Sequence, residues 1–149
     1  MAEQLGIAAG LVRLSFLVQR RYGEVCGEHD LTPPQAQLLC VLSDAPRGMA
    51  ELAQTLRLEK SSVTGLVDRA ERRGLVCRVA STTDRRVVTV ELTEDGAALA
   101  DTFHEAASKR LNETVASLPE RERIQLAAIA SDVVAAEQVP AVFADEPAS

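Results

Sequence analysis

The chain has 149 residues, 46% hydrophobic and 26% charged, with 3% aromatic residues and no Trp. That length suits one domain with a real core, and no apolar run approaches the roughly 18 residues needed to span a bilayer. The net charge of −6 looks wrong for a partner of nucleic acid, but its distribution is uneven. Positions 57–86 carry eight Lys/Arg (57, 60, 69, 72, 73, 78, 85, 86) against four acids (59, 68, 71, 84), a local charge of +4 that leaves −10 on the remainder. A basic unit on an acidic body is an electrostatic footprint that the total conceals. No basic region precedes an apolar one near the N-terminus, so no signal peptide is expected, and a cytoplasmic protein with no membrane partner follows.

In chain order, positions 5–28 read as one long helix. Leu11, Val12, Phe16, Leu17 and Val18 make its apolar surface wider than a single stripe, as in a helix packed on more than one neighbour. Thr32-Pro33-Pro34 predicts a second helix start, with Thr as cap and Pro tolerated in the first turn. That helix runs through positions 35–42 and ends by Ala45-Pro46, and Arg47-Gly48 reads as a short connection. A third helix covers Met49 to about Arg57, with Leu52, Ala53 and Leu56 at core spacing.

Ser61 and Ser62 offer capping hydroxyls to a fourth helix, which Gly74 closes in a left-handed conformation. At 100° per residue, Val63, Leu66, Val67 and Ala70 share one arc, with Ser61, Gly65, Asp68 and Arg72 opposite and Thr64 and Arg69 on the shoulders. Small residues allow close approach to a groove floor, while hydroxyls and Arg reach base edges or phosphates. The plainer alternative for such a face is simple solvation. Period-two alternation then predicts two strands, Val76 to Ala80 and Val87 to Leu92. Their polar tip, Ser81 to Arg86, carries Asp84, Arg85 and Arg86. An Arg at a hairpin tip can enter the minor groove, and a neighbouring Asp can accept its hydrogen bonds and fix its direction.

Helix, turn, helix and charged hairpin together are the layout of a winged helix-turn-helix, a DNA reader. Thr93-Glu94-Asp95-Gly96 opens a further helix running to about Ser117, capped by Thr and favoured by acids in its first turn. Pro119 begins a last helix, apolar almost all round through Ile124, Leu126, Ile129, Val133 and Val134, before an irregular tail at 138–149. The first and last helices thus offer more apolar surface than one lobe can cover. Docking two copies through them would set two recognition helices about one DNA turn apart, roughly 34 Å. The fold expected is mainly α with a small β-hairpin wing: a winged helix-turn-helix lobe at about 31–92 and dimerisation helices at about 5–28 and 94–137.

The segments LTPPQAQLLCVL, MAELAQTLRLEKSSVTGLVDRAERRGLV and TTDRRVVTVELTEDG, in that order, resemble the MarR family of transcriptional regulators over nearly the whole chain. The D-x-R wing signature falls on Asp84 and Arg86. The resemblance implies a homodimeric DNA-binding protein, most often a repressor, on a pseudo-palindromic operator. It places Ser61, Ser62, Thr64 and Arg69 on the recognition helix and Arg86 in the minor groove, oriented by Asp84. Gly65 stands where many relatives carry a larger residue, so the operator sequence is not inferred from them. Many members release DNA on binding a small aromatic or phenolic acid between the dimerisation helices and the lobe. Arg13, Phe16 and Arg20, with His104, lie on helices that could line such a cleft. Other members sense oxidants through a cysteine, for which Cys26 is the candidate here.

Three cysteines at wide spacing argue against a disulfide framework, and Cys40 and Cys77 read as buried packing residues. Cys26-x-x-His29 lacks the two further ligands that zinc needs. With no phosphate loop, no Ser/His/Asp set and no paired catalytic carboxylates, neither an enzyme nor a cofactor is expected. The competing reading is a winged-helix module that mediates protein assembly through its acidic body.

Overall fold

The computed structural model describes residues 3–84 and 86–145. Six helices and a three-stranded antiparallel sheet follow in the order α1 (Ile7–Glu28), α2 (Pro33–Asp44), β1 (Arg47–Gly48), α3 (Met49–Leu56), α4 (Lys60–Arg72), β2 (Val76–Ala80), β3 (Val88–Leu92), α5 (Glu94–Thr114) and α6 (Glu120–Ala136). This is the mainly helical winged architecture that the hydrophobic periods predict. No helix among the described residues is long and apolar enough to cross a membrane.

Local chemistry sets most of the boundaries. Thr32 Oγ1 accepts the Gln35 N–H at 3.3 Å while Gln35 Oε1 accepts the Thr32 N–H at 3.0 Å, a reciprocal capping box that starts α2. α3 ends on Arg57 in the left-handed region, φ 54°, and the Leu58 N–H returns to the Ala53 carbonyl at 3.0 Å. Leu58 is partly buried against the core, so the chain is pinned there and re-enters helix at once. Glu59 becomes the N-cap of α4, without a side-chain cap, and Ser61 and Ser62 fall inside the first turn. The expected capping role of the two serines is thereby corrected, and their hydroxyls stand exposed on the helix. At the other end Gly74, φ +72°, takes the left-handed turn predicted for it.

Arg47-Gly48, expected as a connection, is instead the third strand, with Arg47 opposite Val90 and Gly48 opposite Thr89. β3 is central, and β2 pairs with it from Val76↔Leu92 to Ala80↔Val88. The core joins Leu38, Leu39 and Leu42 of α2, Leu52 of α3, the α4 arc and Val90 to Ala100, Phe103 and Ala107 of α5. Tyr22 of α1 meets the Phe103 ring edge-on at 5.2 Å. Arg110 of α5 also binds α1, at 3.0 Å to Glu24 and 2.6 Å to Glu28.

The tail after α6 has no regular secondary structure through residue 145, as expected, yet it is anchored. Val142 and Phe143 pack against the core, Phe143 stacks on His104 at 4.5 Å, and His104 Nε2 lies 2.6 Å from the Ala144 carbonyl. His104 is thus engaged by the chain's own tail. α6, by contrast, has no buried residue at all. Ile7, Leu11, Val12 and Phe16 of α1 and Ile124, Ile129 and Val133 of α6 are each more than half exposed.

Candidate nucleic-acid interface

The lobe holds α4 by one face and presents the other. Val63, Leu66, Val67 and Ala70 are buried, as the 100° arithmetic predicts, so the opposite side must face outward. On it Ser61, Ser62, Thr64, Arg69 and Arg72 are exposed and Gly65 is half-buried. Thr64 Oγ1 donates to the Lys60 carbonyl at 2.9 Å, leaving its lone pairs outward, and Arg72 Nε reaches the Asp68 carbonyl at 3.4 Å.

At the wing tip Asp84 Oδ1 accepts the backbone N–H of Arg86 at 3.0 Å. Asp84 fixes the turn that carries Arg86 by accepting this backbone N–H, rather than by taking the guanidinium as expected. Ser81 Oγ adds contacts to the N–H groups of Thr83 and Asp84, and the Val87 N–H closes on the Asp84 carbonyl at 3.0 Å. The expected contact at Arg85 lies outside the described residues.

Arg78 was not among the expected site residues, and it joins the two halves of the interface. From β2 its guanidinium reaches Asp68 at 2.7 Å and Glu71 at 2.8 Å, while its N–H donates to Glu71 at 3.3 Å. The hydrogen bond to Asp68, then the charges of both acids, hold the guanidinium above its ordinary range. One guanidinium thereby bridges two carboxylates of α4, offsetting part of their charge, and the wing is clamped to the helix. Asp68, expected on the outward face, is turned into this cluster. The signal was present: Arg78 follows buried Val76 by two residues, so its stem leaves the strand on the packed side, where a charge needs partners. Arg73 performs a similar task at the end of α4, donating to the Asp30 carbonyl at 2.7 Å and to Gln35 at 3.3 Å.

Three of the expected effector residues share one open surface along α1 that no residue of the lobe lines, and His104 lies apart from it, against the tail. Arg13, Phe16 and Arg20 line one groove of about 760 Å³ along α1, with Leu5, Gly10, Leu14 and Leu17. Arg13 is paired with Glu3 at 3.0 Å on an exposed face. Cys26 is 1% exposed, and burial pushes its thiol up, which opposes the accessible thiolate that oxidant sensing needs. Cys40 and Cys77 are half-buried rather than fully buried; burial pushes the Cys40 thiol up to about 11. His29 Nδ1 is 2.8 Å from the Val25 carbonyl, and no group of three or more metal-ligating side chains occurs among the described residues.

A sequence profile described as the MarR family matches residues 29–87, the span from the α1–α2 turn to the wing. The transcriptional repressor NicR of Pseudomonas putida is 37% identical over 97 residues, which cover 64% of this chain and 61% of that protein. The transcriptional regulator PecS of Dickeya dadantii is 26% identical over 131 residues, 85% of this chain and 79% of its own. The chain superposes on wild-type apo MarR from Escherichia coli with a TM-score of 0.77 at 25% identity, covering 89% of this chain and 99% of that one. The match to NicR therefore spans less than two thirds of that relative's length. The profile over residues 29–87, the named regulators and the MarR structure together support a MarR-family winged-helix regulator.

Proposed function

We propose that two copies of this chain bind a pseudo-palindromic DNA site and repress transcription from it. In this reading α4 enters the major groove and the wing tip, led by Arg86, reaches the adjacent minor groove. The observation that carries the proposal is the division of α4 into a buried apolar face and an exposed face bearing Ser61, Ser62, Thr64, Arg69 and Arg72. The wing is clamped beside that face by Arg78. Pairing is supported by the apolar faces of α1 and α6, which the lobe leaves exposed.

Arg86→Ala should weaken binding to duplex DNA by on the order of 1–3 kcal/mol per half-site. Fluorescence anisotropy with a labelled duplex carrying an A·T-rich flank measures it. Equal affinity for mutant and wild type would remove the wing from the mechanism.

The groove along α1 supports a second element of this proposal: a small aromatic or phenolic acid as releasing ligand. Two guanidinium groups flank Phe16 there, and Arg pairs well with a carboxylate. Salicylate titrated into the protein–DNA complex tests it, with release expected for wild type and lost in Arg20→Ala.

A further inference from the structure

Gly65 lies in the middle of α4, where a glycine destabilises a helix relative to alanine. Its φ is not positive, so backbone conformation does not demand it. Outside the helix backbone, the three atoms nearest to a Cβ built there all belong to Arg69: Nη1 at 3.2 Å, Cζ at 3.9 Å and Nη2 at 4.0 Å. The Arg69 side chain therefore runs back one turn and lies across the bare backbone of Gly65. Helical side chains lean toward the N-terminus, so residue i covers residue i−4 in this way.

Three other arginines of the lobe are committed elsewhere. Arg47 is held by Asp44 and Glu51, Arg73 by Asp30 and Gln35, and Arg78 by Asp68 and Glu71. Among the described residues, the Arg69 side chain makes no hydrogen bond and no ion pair. Its guanidinium is exposed, with its five donors available.

We infer that Gly65 and Arg69 form a single base-reading unit, in which the glycine clears a bed for the guanidinium and the guanidinium selects a guanine in the major groove. The inference rests on the DNA-binding reading above and adds to it the base that is read. Gly65 sits opposite the buried arc, at the centre of the outward face. A planar fork laid over it faces the groove floor, where the O6 and N7 acceptors of guanine match two parallel N–H donors. An arginine standing off the shoulder of the helix would instead meet phosphate and carry no base preference.

The test uses the full chain and a pool of duplexes with randomised central bases. Wild type should enrich a guanine at one symmetry-related pair of positions. Arg69→Ala should lose roughly ten- to a hundredfold of the preference at that pair while keeping it elsewhere. Gly65→Val fills the bed with a branched side chain and should lose the same preference, and the double variant should be no worse than either single one. Uniform weakening of every duplex by Arg69→Ala would reassign Arg69 to phosphate and overturn the inference. An intact guanine preference in Gly65→Val would overturn it too. Enrichment of no sequence by wild type would defeat the DNA-reading proposal itself, a result distinct from loss at one position of a working reader.

Discussion

Gly96→Ala should destabilise the fold by about 3–5 kcal/mol, far more than a glycine-to-alanine change in an ordinary helix. A Cβ at Gly96 would lie 1.8 Å from the Leu75 carbonyl oxygen and 2.8 Å from its carbon. Both partners are backbone, so no side chain can rotate away. The site cannot yield locally either. The same Leu75 oxygen accepts the Thr93 N–H at 3.0 Å, and Thr93 Oγ1 donates to the Gly74 carbonyl at 2.6 Å while accepting the Gly96 N–H at 3.0 Å. The Leu75 N–H in turn returns to the Ala70 carbonyl at 3.0 Å, inside α4. The start of α5, the start of the wing and the end of α4 thus share one knot, and moving Leu75 displaces all three. Urea denaturation should show the loss, and the melting temperature should fall by roughly 10 °C or more. Gly23→Ala is the control: nothing lies within 4 Å of its added Cβ, and helix propensity should raise stability slightly. Equal small effects from both variants would mean that the α5–β2 approach is looser than described.

Ile129→Asp combined with Val133→Asp should convert the protein to monomers and abolish tight DNA binding. Both side chains are more than half exposed in the single chain and α6 buries no residue, so the substitutions carry no cost to the fold of the lobe. Two carboxylates within an apolar interface, by contrast, are unpaired buried charges. Substitution is a cleaner test than removing α6, because truncation would also remove Val142 and Phe143 from the core. One lobe offers one recognition helix, one wing and a local charge of +4 on an acidic chain. Losing the second lobe should cost two to four orders of magnitude in apparent affinity, the usual gain from linking two sites. Sedimentation velocity reads the first effect and anisotropy the second. A variant that still sediments as a dimer would move the interface away from α6.

The parts of this account that the sequence reveals are those governed by neighbours in the chain. The Thr32 cap, the α4 arc, the left-handed Gly74 and the Thr93 cap are all set within four residues, and all fall where spacing predicts them. The parts it hides depend on distant partners. Arg47-Gly48 becomes a strand only because β3 supplies Val90 and Thr89 some forty residues later. Gly96 reads as a weak helix former until Leu75 is seen against it. For the tail, the Pro residues signal irregularity correctly, while the adjacent Val142 and Phe143 are the cue to its docking. The candidate interface divides in the same way. Ser61, Ser62, Thr64, Arg69 and Arg72 follow from helical periodicity, whereas the pairing of Arg78 with Asp68 and Glu71 requires the strand to be placed beside the helix. The posture of Arg69 over Gly65 is an i, i−4 contact that spacing permits but does not choose.

The proposed mode of action has two copies reading one duplex through α4 and the wing. Its most direct test is an equilibrium titration of a duplex selected from random sequence, repeated across a range of salt concentrations. Two chains per duplex are expected, with log affinity falling steeply and linearly in log salt as several phosphates per half-site shed their counterions. Binding of one chain per duplex, a flat salt dependence, or no binding in low salt would contradict the account.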